Sequence, residues 1–462
     1  MVEAISQVFS TFGAAVFVPV VLIIVALLMG VKPKKAVSAG LSAGIGLTGF
    51  SMVTGGFTPV LSPIIQKMVD NAGVSLSVLD TGWQQASMIG YSTQIGLIFF
   101  GLAILIQLAL FLSKWSNVLQ VSDLWNNYSY MVWGSLLFIM TGNIWLALGL
   151  MIVQLLWTTL FSEMLAKRFA SYYQYPNCTM CAAHHLEALP FAIAINWLLN
   201  KLKLYKVKLN PDTLRARFGI LGEPMFLGLI LGAIIAVIGN INALGTLAAW
   251  GEIAKVAITT SAVMVVFPKI ASIFAGAFTP LTEASKKRVM KSGKGRSEWY
   301  LAVNPAVGYG ETATLTTGIV LIPIILFVSF FLPGNETLPL VDLISLPYMV
   351  IVFIAITNGN IVKSIIGAGI WYSLALLVCT AMAPAYTDVA ASLGATIPDN
   401  AVYIISFTIL SKPLLALFFY AFLSGNPLFI ALTVVGYFVA TFLWKKNRAA
   451  VTDFIEKQAL ME

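Results

Sequence analysis

Gly55-Gly56-Phe57-Thr58-Pro59-Val60 returns later in the chain as Gly276-Ala277-Phe278-Thr279-Pro280-Leu281, and this pair decides the fold. Two further pairs follow it in order. Met88-Ile89-Gly90-Tyr91-Ser92-Thr93-Gln94 is matched by Ala306-Val307-Gly308-Tyr309-Gly310-Glu311-Thr312, and Gly142-Asn143-Ile144 by Gly359-Asn360-Ile361. Position 55 is answered at 276, 88 at 306 and 142 at 359, separations of 221, 218 and 217 residues. One short match is chance. Three in register indicate an internal duplication.

The surroundings of these motifs are membrane-like. Hydrophobic residues make up 59% of the 462-residue chain and charged residues 10%, with a mean hydropathy of +0.90. A soluble domain carries about 25% charged residues. Apolar stretches fall near 12–30, 37–54, 86–112, 128–160, 187–200, 217–239, 241–268, 299–332, 340–357, 361–384, 402–423 and 427–444. About 20 apolar residues cross the hydrocarbon as a helix. An all-α polytopic bundle of about 11 transmembrane helices plus re-entrant hairpins is therefore expected. The alternating pattern of a membrane barrel is absent from the sequence. The first residues, beginning at Glu3 without a basic region, do not read as a cleavable secretory signal. Three cysteines, Cys178, Cys181 and Cys379, make no disulfide framework.

The run from Tyr130 to Phe161 is too long for one span and is expected to break at Thr141-Gly142-Asn143. Charge orients the two copies. Lys32, Lys34 and Lys35 precede the first Phe-Thr-Pro element, whereas Lys286, Lys287, Arg288, Lys291, Lys294 and Arg296 follow the second. Under the positive-inside rule corresponding loops swap sides, the signature of two inverted repeats. The expected organisation is a first repeat at 1–200, a cytoplasmic linker and connecting helix at 201–235, a second repeat at 236–385, and C-terminal helices with a cytoplasmic tail at 386–462. Lys201 to Lys208 and Lys445, Lys446 and Arg448 fall in the cytoplasm on the same rule. The net charge of +8 is thus topological and gives no reason to expect nucleic acid.

Polar side chains inside spans are costly and become functional candidates by default. Gln84, Gln85, Ser87 and Gln94 lie in the first copy, Asn304, Glu311 and Thr312 in the second, with Asn143 and Asn360 at the two breaks. Together they offer the donors and acceptors that a sugar or polyol demands, with Trp83 and Trp125 to supply a ring face. Each single amide is equally well read as a stitch between helices. Glu223, in Gly222-Glu223-Pro224, reads either as a ligand or as an answer to a helix dipole. Cys178-Thr-Met-Cys181-Ala-Ala-His184-His185 has zinc-ligand residue types, but four ligands within eight residues and no second knuckle argue against a metal. The alternative for His184 and His185, with Glu187 behind them, is general-base work on a substrate hydroxyl. The chain has no phosphate-binding Gly-rich loop. Transport by direct nucleotide hydrolysis is excluded for this chain, and an ion-coupled secondary transporter using Glu311 or Glu223 is the competing class.

Asp80-x-Gly82-Trp83, Ser122-Asp-Leu-Trp-Asn126, Thr141-Gly142-Asn143, Phe218-Gly219-x-x-Gly222-Glu223-Pro224, Asn304-Pro305 and Gly359-Asn360 resemble the galactitol-type enzyme IIC of the bacterial phosphoenolpyruvate-dependent phosphotransferase system, in the ascorbate–galactitol superfamily. The resemblance runs along nearly the whole chain. It implies a homodimeric, elevator-like carrier of the bacterial inner membrane, with a substrate-holding core moving against a scaffold. The polyol is then phosphorylated by a phosphocysteine on a separate cytosolic enzyme IIB, supplied by enzyme IIA, and no cofactor is implied. It maps the core polar positions onto Gln84, Gln85, His184, His185, Glu223, Asn304 and Glu311, with His184, Glu187 and Glu311 as candidates to orient or deprotonate the accepting hydroxyl. The chain departs from the family pattern at Cys181-Ala-Ala-His184-His185, where relatives often carry Pro-His-Gly, and at Asn304-Pro305, where relatives can carry Asp-Pro. Both departures leave the particular polyol open.

Overall fold

The computed structural model describes residues 16, 19, 20, 22–24, 26–28, 30–120, 124–277, 280, 281, 284, 298–395, 397, 398 and 401–461. Most of the apolar stretch at 12–30, the pair Phe278-Thr279, the basic segment 286–296 and Ser122-Asp123 lie outside the described residues.

Seven described helices are long and apolar enough to cross a membrane: Pro33–Ala72, Gln94–Leu112, Ile144–Tyr172, Leu247–Ile270, Thr312–Phe331, Ile361–Ser392 and Pro427–Ala459. Pro211–Gly222 with Pro224–Gly239, bent by 74°, makes an eighth if read as one broken span. The expectation of about 11 spans counted apolar stretches that the fold uses as shorter helices. Leu189–Lys201, Pro413–Leu423 and the stretch Asp342–Ile356 are apolar but too short to cross.

The overlong run does divide at Gly142, into helices Tyr128–Thr141 and Ile144–Tyr172. The break is a tight hairpin, not an interruption at mid-depth. Gly142 sits at φ 65°, a conformation glycine enters without a Cβ clash. A Cβ on Gly134 would meet Met151 Sδ at 2.3 Å, so the two helices return antiparallel in close contact. The second copy repeats the device. Gly359 takes φ 75°, Asn360 caps Ile361–Ser392, and a Cβ on Gly367 would lie 3.3 Å from the Phe353 ring.

The chain is not wholly helical. Among the described residues, six strands of two to four residues form two three-stranded parallel sheets. In the first, β1 (Val78–Asp80) is central between β5 (Thr337–Leu338) and β6 (Tyr403–Ile405), with Val78 opposite both Thr337 and Tyr403. In the second, β4 (Tyr300–Val303) is central between β2 (Val118–Leu119) and β3 (Cys178–Met180), with Leu301 opposite Leu119 and Cys178. The reason is one of hydrogen bonding. Where a helix stops away from water, its extended continuation must find partners in protein, and a short ladder supplies them. Pattern reading misses such strands because two to four residues carry no periodicity.

The order strand, short helix, long helix, strand, 3-10 turn, helical hairpin, strand, short helix runs from Val78 to Leu186 and again from Tyr300 to Leu410. Each series is followed by a further apolar helix, Leu189–Lys201 and Pro413–Leu423. Each central strand is flanked by two strands of the other series.

Pro33–Ala72 packs against Leu247–Gly276. A Cβ on Gly49 would meet Ile270 at 3.0 Å, and Lys67 pairs with Glu252, so the helices run antiparallel. The Pro33 end, preceded by Lys32, therefore lies beside the Gly276 end, from which the chain enters the basic segment 286–296. Single cysteines at Lys34 and Gly276, introduced with the native cysteines replaced, are expected to react with a membrane-impermeant maleimide from one and the same side of sealed vesicles. Labelling from opposite sides would refute the pairing.

Candidate substrate site

All strands being parallel within each sheet, their C-terminal ends converge, and in the first sheet two buried carboxylates join them. Asp80 ends β1; its Oδ1 accepts hydrogen bonds from the Gly82 N–H at 3.1 Å and the Phe407 N–H at 3.0 Å, and its Oδ2 from the Asp342 N–H at 2.5 Å. Asp342, just beyond β5, accepts from the Trp83 N–H at 2.9 Å, the Thr408 N–H at 2.7 Å and the Ser406 hydroxyl at 2.9 Å. Both are fully buried. In the second sheet Asn304 takes the place of Asp80, its Oδ1 accepting from the Ala306 N–H at 2.9 Å. The two ends thus start their short helices with the same local turn but different charge.

The short helix Ala183–Leu186 follows β3 and carries both histidines inward, each 1% exposed. Their rings lie 4.4 Å apart between centroids. Tyr128 lies 5.7 Å from His184, and Tyr348 packs edge-on against His185 at 4.3 Å. Trp83 and Tyr91 continue the wall beyond Tyr128, and Tyr309 beyond Tyr348. Aromatic side chains from both series therefore surround the imidazoles. None of the four imidazole nitrogens makes a hydrogen bond of ordinary geometry, and the Tyr348 backbone interacts with His185.

Opposite lies Lys412, 1% exposed, at the end of the short helix Phe407–Leu410 that follows β6. Its ammonium is 6.0 Å from the Tyr372 ring centroid and within electrostatic reach of both imidazoles and of Glu187. It makes no hydrogen bond or close ion pair among the described residues. Glu187 is equally buried, but its carboxylate is occupied: Oε1 accepts from Trp371 Nε1 at 2.9 Å and Oε2 from the Leu414 N–H at 3.2 Å. The neighbouring Ser411 hydroxyl is also buried without a partner. Buried polar groups are normally satisfied. The two imidazoles and the Ser411 hydroxyl lack ordinary hydrogen bonds, and the Lys412 ammonium stands in electrostatic reach of both rings.

The other sequence candidates are dispersed. Glu311 caps Thr312–Phe331, Oε1 accepting from the Ala313 N–H at 2.9 Å and Oε2 from the Thr314 N–H and hydroxyl at 2.8 and 2.9 Å, with Tyr172 beside it. Gln85 Oε1 is bonded by the Thr81 hydroxyl, Ser87 bonds back to the Gln84 carbonyl at 2.8 Å, and Gln84 and Gln94 are exposed. Asn143 caps Ile144–Tyr172 at 3.0 and 3.2 Å, and Asn360 caps its own helix while bonding the Val207 carbonyl at 2.8 Å. Asn143 lies one 14-residue helix from Tyr128, about 20 Å at the helical rise, so the hairpin places it away from the imidazoles. Glu223 is exposed and makes no side-chain cap bond. The Trp125 side chain and Asp123 lie outside the described residues. Lys412 and Asp342 were not among the candidates. The signal for Lys412 was present as one cation, ahead of Pro413, in the otherwise uncharged stretch 402–423.

A multi-span helical chain whose short, interrupted helices bring buried ionisable side chains together has the features of a membrane transport protein. The chain matches, over residues 7–401, the family described as PTS system sugar-specific permease component, and it belongs to that family. It is the permease subunit of a sugar phosphotransferase system. Among its relatives, the "PTS system galactitol-specific EIIC component" of Escherichia coli K12 and that of Escherichia coli O157:H7 are each 26% identical over 384 residues, 83% of both chains. A "Putative permease IIC component" of Escherichia coli K12 is 28% identical over 385 residues, 83% of this chain and 86% of its own.

Replacing Asp342 by Ala strands two backbone N–H groups and a hydroxyl, each costing about 1–3 kcal/mol when buried. The expected outcome is a lower melting temperature in detergent, with destabilisation of at least about 3 kcal/mol. The same truncation at exposed Glu223 is expected to leave the melt within about 0.5 kcal/mol of the parent.

Proposed function

We propose that this permease carries a polyol such as galactitol, held at His184, His185 and Lys412 while it awaits phosphorylation by a cytosolic enzyme IIB. What carries the reading is the cluster of imidazole nitrogens and ammonium, buried and unsatisfied, inside an aromatic wall. A polyol hydroxyl gives one hydrogen bond and takes one. Lys412 donates, each neutral imidazole both donates and accepts, and the aromatic faces cover the carbon chain. Glu187 carries the charge that answers Lys412, which leaves the pocket near neutrality and suits an uncharged solute. The relatives named for galactitol support the same substrate class.

In the transfer itself, the substrate oxygen forms a bond to phosphorus as the phosphorus–sulfur bond on enzyme IIB breaks. The hydroxyl proton passes to an acceptor, and His184 has a free nitrogen for it. Phosphoryl transfer asks mainly for alignment and charge stabilisation, roles that fit an imidazole and an ammonium. Glu311 acts by holding the start of its helix. Of the remaining sequence candidates, Gln85 and Asn304 fix the turns around the pocket, and Asn143 and Asn360 fix its supporting hairpins.

The architecture is read as the two inverted repeats expected at 1–200 and 236–385, in a homodimeric, elevator-like carrier with a cytoplasmic C-terminus. The matching elements run from Val78 to Lys201 and from Tyr300 to Leu423, so that the second repeat extends beyond 385. The repeated element order and the crossed sheets support the inversion.

Vesicles containing the chain are expected to accumulate labelled galactitol as its phosphate ester only when phosphoenolpyruvate and the soluble components are supplied. Accumulation of unmodified solute that collapses with a protonophore would overturn the reading. Lys412→Met removes charge-assisted hydrogen bonds worth about 1.5–3 kcal/mol, so substrate affinity is expected to fall by about ten- to a hundredfold. Protein that elutes as a monodisperse peak and still binds with parental affinity would remove Lys412 from the site.

A further inference from the structure

A polar cavity lies where the last long helix ends its apolar run. Pro427–Ala459 is uncharged from Pro427 to Trp444, and Leu428, Leu432, Val435, Val439 and Phe442 face outward, each at least half exposed. Eighteen residues rise about 27 Å, close to the hydrocarbon thickness of about 30 Å. Lys445, Lys446 and Arg448 then follow at once, and the backbone leaves helical geometry at Asn447 (φ −114°, ψ 17°). The kink sets the final turns against the Ile144–Tyr172 helix, through Arg168–Glu456 at 2.7 Å. Between them opens a cleft of about 540 Å³, lined among others by Glu163, Lys167, Tyr300, Lys445, Lys446 and Arg448.

The acids in this cleft are already engaged. Glu163 accepts from the Asn117 N–H at 2.9 Å, Asn117 Nδ2 at 3.1 Å, the Ser116 hydroxyl at 3.3 Å and Trp444 Nε1 at 3.3 Å. Glu298 takes the Tyr300 hydroxyl and Arg448 at 3.0 Å, and Asp453 pairs with Lys457 at 2.9 Å. Lys167, Lys445 and Lys446 make no ion pair among the described residues; Lys445 lies over the Trp115 ring, 3.9 Å from its centroid, with Glu163 in electrostatic reach. Three ammonium groups thus line a cavity at the end of an apolar helix, beside the indoles of Trp115 and Trp444, side chains that favour the membrane–water boundary.

We infer that this cleft binds the phosphate headgroup of an anionic phospholipid, with the acyl chains lying along the exposed apolar face of Pro427–Trp444. Basic pockets at the ends of transmembrane helices recognise such headgroups by charge. A concave cavity of this volume suits a small group better than a partner protein, whose interface buries about 800 Å² on each side. The occupant is the lipid-borne phosphate. Its binding fixes the kinked C-terminal turns to the membrane surface.

The experiment uses the full chain purified in neutral detergent and mixed with equal amounts of phosphatidylglycerol and phosphatidylcholine, with co-purifying lipid quantified by mass spectrometry. The parent is expected to retain phosphatidylglycerol at least fivefold over phosphatidylcholine. In the triple variant Lys167→Gln, Lys445→Gln, Lys446→Gln that preference is expected to fall to near unity, with unchanged helicity and a monodisperse peak. Lys201→Gln with Lys203→Gln, removing the same kind of charge elsewhere, is expected to keep it. An unchanged preference in the triple variant would overturn the site. So would displacement of the lipid by millimolar glycerol 3-phosphate, which would make it a site for a free phosphate, or retention of an acidic protein with no lipid preference.

Discussion

Two carboxylates out of reach of water hold the interior of this permease together. Asp80 and Asp342 each accept three hydrogen bonds, five of the six from backbone N–H groups and the sixth from the Ser406 hydroxyl. Unsatisfied backbone at membrane depth costs several kcal/mol for each group. Every short helix in this fold creates such groups at its ends, and the carboxylates and strand ladders absorb them. The buried cluster of His184, His185 and Lys412 exists because these interruptions are tolerated.

The two ends of the molecule solve this problem with the same turn but unequal charge. Asp80 stands where Asn304 stands in the other series, and both accept from the N–H two residues on. Lys412 and Glu187 show the same asymmetry, each closing the short helix that follows an outer strand and preceding an apolar helix. One series supplies imidazoles and a carboxylate, the other an ammonium and a hydroxyl. The same element order thus carries different ionisable residues in its two occurrences.

Much of this was legible in the sequence. Hydropathy gave the membrane class, two of the three recurring motif pairs fall at corresponding places in the repeated element order, and Gly142 and Gly359 marked the hairpin turns. The paired histidines and Glu187 stood out as ionisable groups beside the Cys-x-x-Cys stretch, and the structure buries all three. What escaped was whatever depends on distant pairing. The six strands are too short to carry a pattern, and β1 meets β5 and β6 across more than 250 residues. Asp80 was legible only as part of a motif, since its partners Asp342 and Phe407 lie in segments that look unrelated in one dimension. Asn143, Asn360 and Glu311 are residue types that serve equally as caps and as ligands, and the hydrogen bonds to the following helical N–H groups, which no sequence pattern displays, show the capping role.

The crossed sheets also bear on how such a chain is made. Each central strand is enclosed by strands from the opposite half, so neither half contains a finished sheet of its own. A nascent first half emerges with Val78–Asp80 lacking both neighbours, and it cannot close until residues beyond 400 have left the ribosome. The two halves are interlocked and not merely docked, and closure over such sequence separations is slow. Assembly in the bilayer therefore ends with a single late event that completes both sheets and the pocket between them together.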